Sequence, residues 1–174
     1  MKRLALLLLV LILAGCDYTV LARYPDGSPY TWRCHPVVWQ INPAGFTTGP
    51  IEDYKDAFRA AHAATGIRVD FDGFTDRRPT TAPNGVVIVY RADLPGTTAA
   101  STWNHWNGGR YSGGMIQVDN NLPAYFFDDM AWHEVGHVFG LGHGPSGQVM
   151  STEGADPPYR SGDLAGLRAV GCNG

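Results

Sequence analysis

Two histidines and a glutamate lie within one short stretch of the chain, at His133, Glu134 and His137. On a helix of 3.6 residues per turn, positions four apart differ by about 40° in direction, so the two imidazoles face one side. Such a pair can clamp a zinc ion, which accepts imidazole nitrogens at about 2.0–2.1 Å. Glu134 is displaced by about 100° around the helix, so its carboxylate is predicted to lie beside the metal without binding it.

A third metal ligand is expected from His143, beyond the end of the same helix. Another helical turn would carry the chain along the axis instead of around the metal, so the helix must end before this residue. Gly140 permits that end, because a residue without Cβ can adopt positive φ at a helix terminus. The sequence therefore predicts a three-histidine zinc site whose fourth position is open to water.

Residues 133–143 match the extended pattern HExxHxxGxxH. The first five positions, HExxH, specify only three residue types and also occur in ordinary helices. The glycine and the third histidine are what make the match specific. A chance histidine-rich amphipathic helix is the alternative. The predicted chemistry is peptide hydrolysis, in which Glu134 takes a proton from a zinc-bound water that attacks a carbonyl polarised by the same ion.

The pattern resembles the metzincin clan of zinc peptidases, and within it the matrixin-like catalytic domains, which share the glycine and the Leu-Gly-His sequence. Met150 fits the resemblance as a Met-turn beneath the zinc, although a lone methionine is otherwise core filler. The resemblance covers about residues 35–171. It implies an α+β fold: a mixed twisted sheet with an antiparallel edge strand, a long helix A, the zinc-binding helix, and a short C-terminal lobe with the Met-turn and a final helix.

Departures from the matrixin pattern limit what the resemblance implies. Matrixins hold a structural zinc through additional His and Asp residues before the active-site helix, whereas only His105 lies there, so one catalytic zinc is expected. Asp119, Asn120 and Asn121 offer oxygen ligands for calcium, but without a recognisable spacing, so calcium is weakly supported. In some metzincins a tyrosine after the Met-turn stabilises the transition state. Tyr159 also follows the Met-turn here, but its distance from Met150 in the sequence does not match that pattern well.

The elements that must position these residues follow from hydrophobic periodicity and from turn residues. Gly66 is predicted to close the long helix, and a Gly113-Gly114 turn is predicted to precede the last strand. The expected order is a strand at 37–41, a helix at 50–65, strands at 67–71 and 86–90, an edge strand at 98–103, a strand at 115–118, the zinc helix at 128–139, and a final helix near 161–170.

The N-terminal residues indicate export. Lys2 and Arg3 precede an apolar run that is about half the 20 residues a transmembrane helix needs, which is typical of a secretion signal. The run ends in Leu-Ala-Gly-Cys, which resembles a bacterial lipoprotein box with Cys16 as the lipid-bearing residue. We therefore expect a signal peptide at 1–15, a tether at 16–33 and the peptidase domain at 34–174, anchored to the outer face of the cell membrane. A cleaved, soluble secreted protein is the alternative.

If Cys16 carries lipid, Cys34 and Cys172 remain, and an oxidising compartment favours their pairing. Two free buried thiols are the alternative. The 174 residues, 44% of them hydrophobic, suffice for one domain with its own core. The arginines are scattered and form no basic stripe, which argues against nucleic-acid binding.

Together these features predict an extracytoplasmic zinc metalloendopeptidase, expected to act as a monomer. A protein or peptide substrate is expected to lie extended along the edge strand at 98–103. Two alternatives stay open at this point: a zinc amidase that acts on cell-wall peptide, and a catalytically silent, lipid-anchored zinc-binding protein.

Overall fold

The computed structural model describes residues 18–172. The predicted signal peptide and Cys16 lie outside this range. No helix within it is long and apolar enough to cross a membrane. In chain order the elements are β1 (Thr19–Val20), β2 (Val37–Ile41), α1 (Thr48–Thr65), β3 (Val69–Phe74), β4 (Val87–Ala92), β5 (Ala100–Asn107), β6 (Arg110–Asp119), a 3-10 turn (Ala124–Phe126), α2 (Phe127–Val138), β7 (Leu141–Gly142) and α3 (Ser161–Val170).

Strands β2 to β6 form one sheet in the order β3-β2-β4-β6-β5. Neighbouring strands are parallel from β3 to β6, whereas β5 pairs antiparallel with β6 at one edge. The predicted mixed sheet with an antiparallel edge strand is therefore confirmed. The predicted strand at 86–90 is a continuous apolar run because β4 lies inside the sheet and is buried on both faces.

The main hydrophobic core lies between the sheet and the helices. Trp39 of β2 stacks on Phe58 of α1 with ring centroids 4.5 Å apart, and Phe58 contacts Phe139, just after α2, at 6.4 Å. Gly66 ends α1 with a φ of 68°, as predicted, and its N–H donates to the carbonyl of His62. This packing fixes the position of α2 relative to the sheet.

The β5–β6 turn differs from the prediction. The sequence predicts a turn at Gly113-Gly114, whereas the structure places it at Gly108 and Gly109, whose φ values of 57° and 79° suit a type I′ hairpin. Gly113 and Gly114 lie inside β6, where a Cβ on Gly113 would contact the backbone of Pro83. The edge strand consequently extends over Ala100–Asn107 instead of 98–103.

The segment before β2 also differs from the prediction. The sequence predicts a tether at 16–33, whereas the described part of that segment packs against the domain. Strand β1 pairs antiparallel with β7, and Trp32 is only 2% exposed. The Trp32 indole N–H donates to the carbonyl of Val138 at 2.9 Å, at the end of α2. These residues are therefore part of the folded domain.

A disulfide joins Cys34, before β2, to Cys172, after α3. The backbone N–H of Cys172 also donates to the carbonyl of Thr65, the last residue of α1, at 2.7 Å. The end of the described chain is thus attached covalently to the start of the sheet and by a hydrogen bond to the long helix.

The residues considered for calcium stabilise the loop after β6. Asp119 accepts hydrogen bonds from the backbone N–H groups of Leu94 at 2.9 Å and Asn121 at 2.7 Å. The Asn120 amide donates to Asp93 at 2.7 Å. Calcium binding by this loop stays a prediction.

Asp53 of α1 lies partly buried near other carboxylates. Burial, with a further contribution from Asp128, raises its pKa from 3.8 to about 6. Because the folded-state pKa exceeds the unfolded value, the fold loses stability as the pH rises through this interval. We therefore expect Asp53→Asn to unfold at a higher temperature than wild type at pH about 7.5, and at the same temperature near pH 4. Thermal unfolding with chelator present throughout measures this difference without a contribution from metal loss.

Asp76→Asn is the matched control for Asp53→Asn, because Asp76 is exposed in the loop after β3. This variant should follow the wild-type unfolding temperature at both pH values. An Asp53→Asn variant that gains no stability at neutral pH would contradict the assignment of a destabilising charge to this carboxyl.

Candidate metal centre

Helix α2 carries His133 and His137 on one face, and both side chains are buried, at 6% and 8% exposure. Their Nε2 atoms lie 3.1 Å apart. Two nitrogens bound to one tetrahedral zinc ion at about 2.0–2.1 Å would lie roughly 3.3 Å apart. The observed separation therefore fits a shared ion.

Backbone carbonyls hold both imidazoles at their other ring nitrogen. Nδ1 of His133 lies 2.8 Å from the carbonyl oxygen of Val149, and Nδ1 of His137 lies 2.7 Å from that of Leu141. A carbonyl oxygen only accepts, so each Nδ1 donates, and the lone pair of each Nε2 is left for a metal. Burial lowers the pKa of both rings, to about 4 for His137, which favours the neutral form that binds metals.

His143 reaches the same point from beyond the helix. Gly140 adopts a φ of 97°, as expected for the end of the helix, and its N–H donates to the carbonyl of His137 at 3.0 Å. The chain then forms β7, and the ring centroid of His143 lies 5.2 Å from that of His133 and 4.9 Å from that of His137. One possible ligand atom from each of the three rings lies within 4.8 Å of the others.

The N-terminal segment holds His143 in place, a contribution that sequence reasoning missed. Strand β1 pairs with β7, and the Thr19 hydroxyl donates to the carbonyl of His143 at 2.5 Å. A Cβ on Gly142 would lie 2.6 Å from Oγ1 of Thr19, so the two strands approach this closely only because residue 142 is glycine. No local signal reveals this contact, because 124 positions separate Thr19 from His143.

The three-histidine set suits zinc, which prefers imidazole ligands and in catalytic sites keeps one coordination position for water or substrate. His143 is exposed, and together with His133 it lines a surface cavity. Within residues 18–172, this is the one group of three or more His, Cys, Asp or Glu side chains close enough to share an ion. The residues present therefore fit a single accessible zinc ion.

Glu134 lies beside the histidine pair and is only 4% exposed. The hydroxyl of Thr102 donates to its Oε2 at 2.5 Å. Burial raises the pKa of Glu134 from 4.5 to about 7, and the hydrogen bond from Thr102 opposes that rise. A carboxyl group with a pKa near neutrality can both accept and return a proton at physiological pH, as a general base requires.

Two side chains of β5 attach the edge strand to α2, and sequence reasoning singled out neither. Thr102 lies 3.2 Å from the carbonyl of Glu134 as well as bonding to its carboxylate. Asn104 donates to the carbonyl of His137 at 2.8 Å. Positions two apart on a strand share one face, so both side chains meet the helix. The edge strand is thereby fixed next to the candidate base.

Met150 lies beneath the histidine pair, where the resemblance implies a Met-turn. It is 2% exposed, and a Cβ added to Gly136 would contact its Sδ. Gly136 lies between His133 and His137 on α2, so the absence of a side chain lets the sulfur approach the helix directly. Met150 therefore supports the segment of α2 that carries both histidines.

Asp163 of α3 fixes the backbone of this turn. Its carboxylate is 2% exposed and accepts hydrogen bonds from the N–H groups of Val149 at 2.9 Å, Met150 at 3.1 Å and Arg160 at 2.8 Å. Val149 in turn accepts from Nδ1 of His133. A continuous set of hydrogen bonds therefore connects α3 to the first candidate ligand.

We expect Asp163→Asn to weaken zinc binding by about 10- to 100-fold, as is typical when a partner that orients a metal ligand is lost. The NH₂ group of asparagine cannot accept hydrogen bonds from the backbone N–H groups that the carboxylate of Asp163 binds. The turn would shift as a result, and the Val149 carbonyl would no longer be held against His133. Competition with a chromophoric chelator measures the affinity, and Asp76→Asn is the matched control. Wild-type affinity in a folded Asp163→Asn variant would contradict this role.

Tyr159 is not among the residues that line the cavity at the metal centre, so the structure does not support the transition-state role considered for it. The side chain is 4% exposed, and its hydroxyl donates to the carbonyl of Trp132 at 2.8 Å. Its ring also packs edge-on against Trp132, with centroids 5.0 Å apart. Tyr159 therefore has a structural role on the flank of α2.

Comparison with known families matches residues 86–168 to the family model Peptidase M66. This stretch is just under half of the chain, and it contains the three histidines, Glu134 and Met150. This part of the chain is therefore similar to the Peptidase M66 family.

The chain is also similar to a solved zinc protease, High choriolytic enzyme 1, a hatching enzyme of the medaka fish Oryzias latipes. The TM-score is 0.38 at 13% sequence identity, and the match covers 72% of this chain and 55% of that chain. This chain thus aligns with little more than half the length of that protein. No curated protein matches the chain. The narrower assignment to matrixins stays a prediction.

Proposed function

We propose that the protein is a zinc-dependent metalloendopeptidase that acts outside the cytoplasm. The observation that carries the proposal is the convergence of three histidine rings beside one buried glutamate at an open cavity. A site that only stores or senses zinc has no need of a carboxylate in this position, whereas hydrolysis requires a group that moves a proton.

The mechanism assigns a separate task to each group. A zinc ion held by His133, His137 and His143 would supply a Lewis acid that activates water and polarises the substrate carbonyl. Glu134 accepts the proton of the attacking water and then delivers it to the nitrogen of the leaving amine. Thr102 orients the glutamate through Oε2, so that Oε1 takes the proton.

The free edge of β5 supports binding of an extended peptide. Within residues 18–172, strand β5 pairs only with β6, so its other edge presents backbone groups to which a peptide can bond as an added strand. Residues 97–100, which lead into β5, line the same cavity as His133 and Glu134. A peptide that extends the sheet at this point would pass across the metal centre.

Export and lipid anchoring at Cys16 belong to the same proposal and depend on the N-terminal sequence. Strand β1 begins at Thr19, so a lipid on Cys16 would lie only three residues from the folded domain. Such an anchor would hold the domain close to the membrane surface. Incorporation of labelled palmitate by wild type, and its loss in Cys16→Ala, would support the anchor; secretion of an unlabelled protein would favour the soluble alternative.

Hydrolysis by the purified protein at measured zinc content tests the proposed activity. We expect about one zinc per chain, together with cleavage of casein and of a mixed peptide library. Phenanthroline should abolish cleavage, and added zinc should restore it. Cleavage of peptidoglycan peptides alone would favour the cell-wall amidase, and bound zinc without hydrolysis of any substrate would favour the silent zinc-binding protein. A preparation that binds no zinc would overturn the proposal.

A further inference from the structure

We propose that the cavity beside the metal centre selects a substrate residue with a long cationic side chain, lysine or arginine, and that Asp129 is its counter-charge. This inference rests on the proposed peptidase function, because the selected residue is one that flanks the scissile bond. It names a class of substrate that neither the motif nor the family match specifies.

The cavity has a volume of about 460 Å³ and opens at the metal centre. Its walls come from residues 97–100, which lead into β5, from α2, and from the loop at 151–154. Asp129 lies one helical turn before His133 on the same face of α2, about 6 Å along the helix axis. A substrate side chain that enters the cavity next to the scissile bond can therefore extend to Asp129.

Apolar side chains also line the cavity that Asp129 shares with His133 and His143. They belong to Ala100, Leu122, Phe126 and Met130. Walls of this kind suit the methylene stem of lysine or arginine, which packs on apolar surface while its charged end seeks a polar partner. An apolar substrate residue would also pack against these walls. It would, however, remove water from the Asp129 carboxylate without supplying a hydrogen bond or an opposite charge.

The charge of the cavity lining is negative. Besides Glu134, which is assigned to proton transfer, the lining contains the carboxylates of Asp129 and Glu153, and no lysine or arginine among the residues that the structure describes. Glu153 is exposed and accepts a hydrogen bond from Ser146 at 2.8 Å. Asp129 is therefore the carboxylate best placed to receive a cation inside the cavity.

Asp129 lacks a partner within the part of the chain that the structure describes: no ion pair involves it, and no hydrogen bond contributes to its titration. Burial raises the pKa of Asp129, and the nearby carboxylates of Asp156 and Asp128 raise it further. A bound ammonium or guanidinium group would replace lost solvation and offset this repulsion. The geometry and the charge thus favour the same class of substrate residue.

A positional hexapeptide library tests the inference, with one position at a time fixed as Lys, Arg, norleucine, Gln or Glu. For wild type we expect kcat/KM to be about tenfold higher with Lys or Arg than with norleucine at one position flanking the cut. Asp129→Asn should reduce this ratio to near unity. Asp129→Lys should shift the preference to Glu. Asp128→Asn, the same change at the adjacent residue outside the cavity lining, should keep the wild-type ratio.

Binding of the same library to zinc-loaded Glu134→Gln separates this inference from the proposed activity. If wild type cuts nothing, tighter binding of the Lys and Arg peptides that depends on Asp129 would still support the cavity assignment, while the peptidase proposal fails. Cleavage or binding without a Lys or Arg preference would overturn the inference. A preference that persists unchanged in Asp129→Asn would also overturn it, even if hydrolysis is strong.

Discussion

Glu134→Gln is expected to abolish peptide hydrolysis while leaving zinc bound. Glutamine keeps the shape of the side chain and can still accept the hydrogen bond that Thr102 donates to Glu134. It cannot take a proton from water, and a positioned general base contributes about 10²–10⁴-fold to the rate. We therefore expect kcat/KM to fall by roughly 10³-fold, with an unchanged zinc content by elemental analysis.

Glu52→Gln is the matched control, because Glu52 is exposed on α1 and pairs with Lys55 at 2.7 Å. The same chemical change there should leave both rate and zinc content at wild-type levels. Wild-type kcat/KM in a zinc-loaded Glu134→Gln variant would refute the proton-transfer role. Simultaneous loss of zinc and activity would instead identify Glu134 as a residue that supports the metal site.

The metal ligands could be predicted from the sequence because their geometry is almost entirely local. The spacing between His133 and His137 determines that both rings share one helix face. The positive φ of Gly140, 97°, then follows from the need to turn the chain towards His143. An eleven-residue run thus contains nearly all the information that brings the three rings together.

The residues that hold the centre in place could not be predicted in this way. Thr19 bonds to His143, Thr102 to Glu134, and Asp163 to the turn beneath the helix, each across a long stretch of sequence. Threonine and aspartate are also common in strands, caps and loops for unrelated reasons, so their residue type carries little signal. Only the strand pairing and the packing of α3 show which of them reach the site.

The two glycine pairs near the edge strand illustrate a second limit. Gly108-Gly109 and Gly113-Gly114 both satisfy the composition of a tight turn. The register between β5 and β6 decides between them, since Asn107 pairs with Arg110 and Asn104 with Gly114. The predicted tether at 16–33 fails for a related reason, because the strand at Thr19–Val20 pairs with β7, which lies beyond α2 in the sequence.

Loss of the disulfide is expected to have the largest effect on stability. Replacing both Cys34 and Cys172 by serine frees a cross-link with a sequence separation of 138 residues. The chain-entropy model assigns about 5 kcal/mol to a loop of this length, and removing a native disulfide typically costs about 2–5 kcal/mol. For a domain of this size we expect the Tm to fall by roughly 10 °C, measured by thermal unfolding of the oxidised proteins.

Reduction of the disulfide in the wild-type protein provides the matched comparison for the double serine variant. A phosphine reductant should lower the Tm of wild type to nearly that of the double serine variant, and it should leave the variant itself unchanged. Cys172 bonds to Thr65 at the end of α1 and not to a metal ligand, so the folded variant should retain zinc and hydrolysis well below its Tm. Equal stability of oxidised and reduced wild type would contradict this prediction, because the covalent cross-link would then contribute nothing to stability.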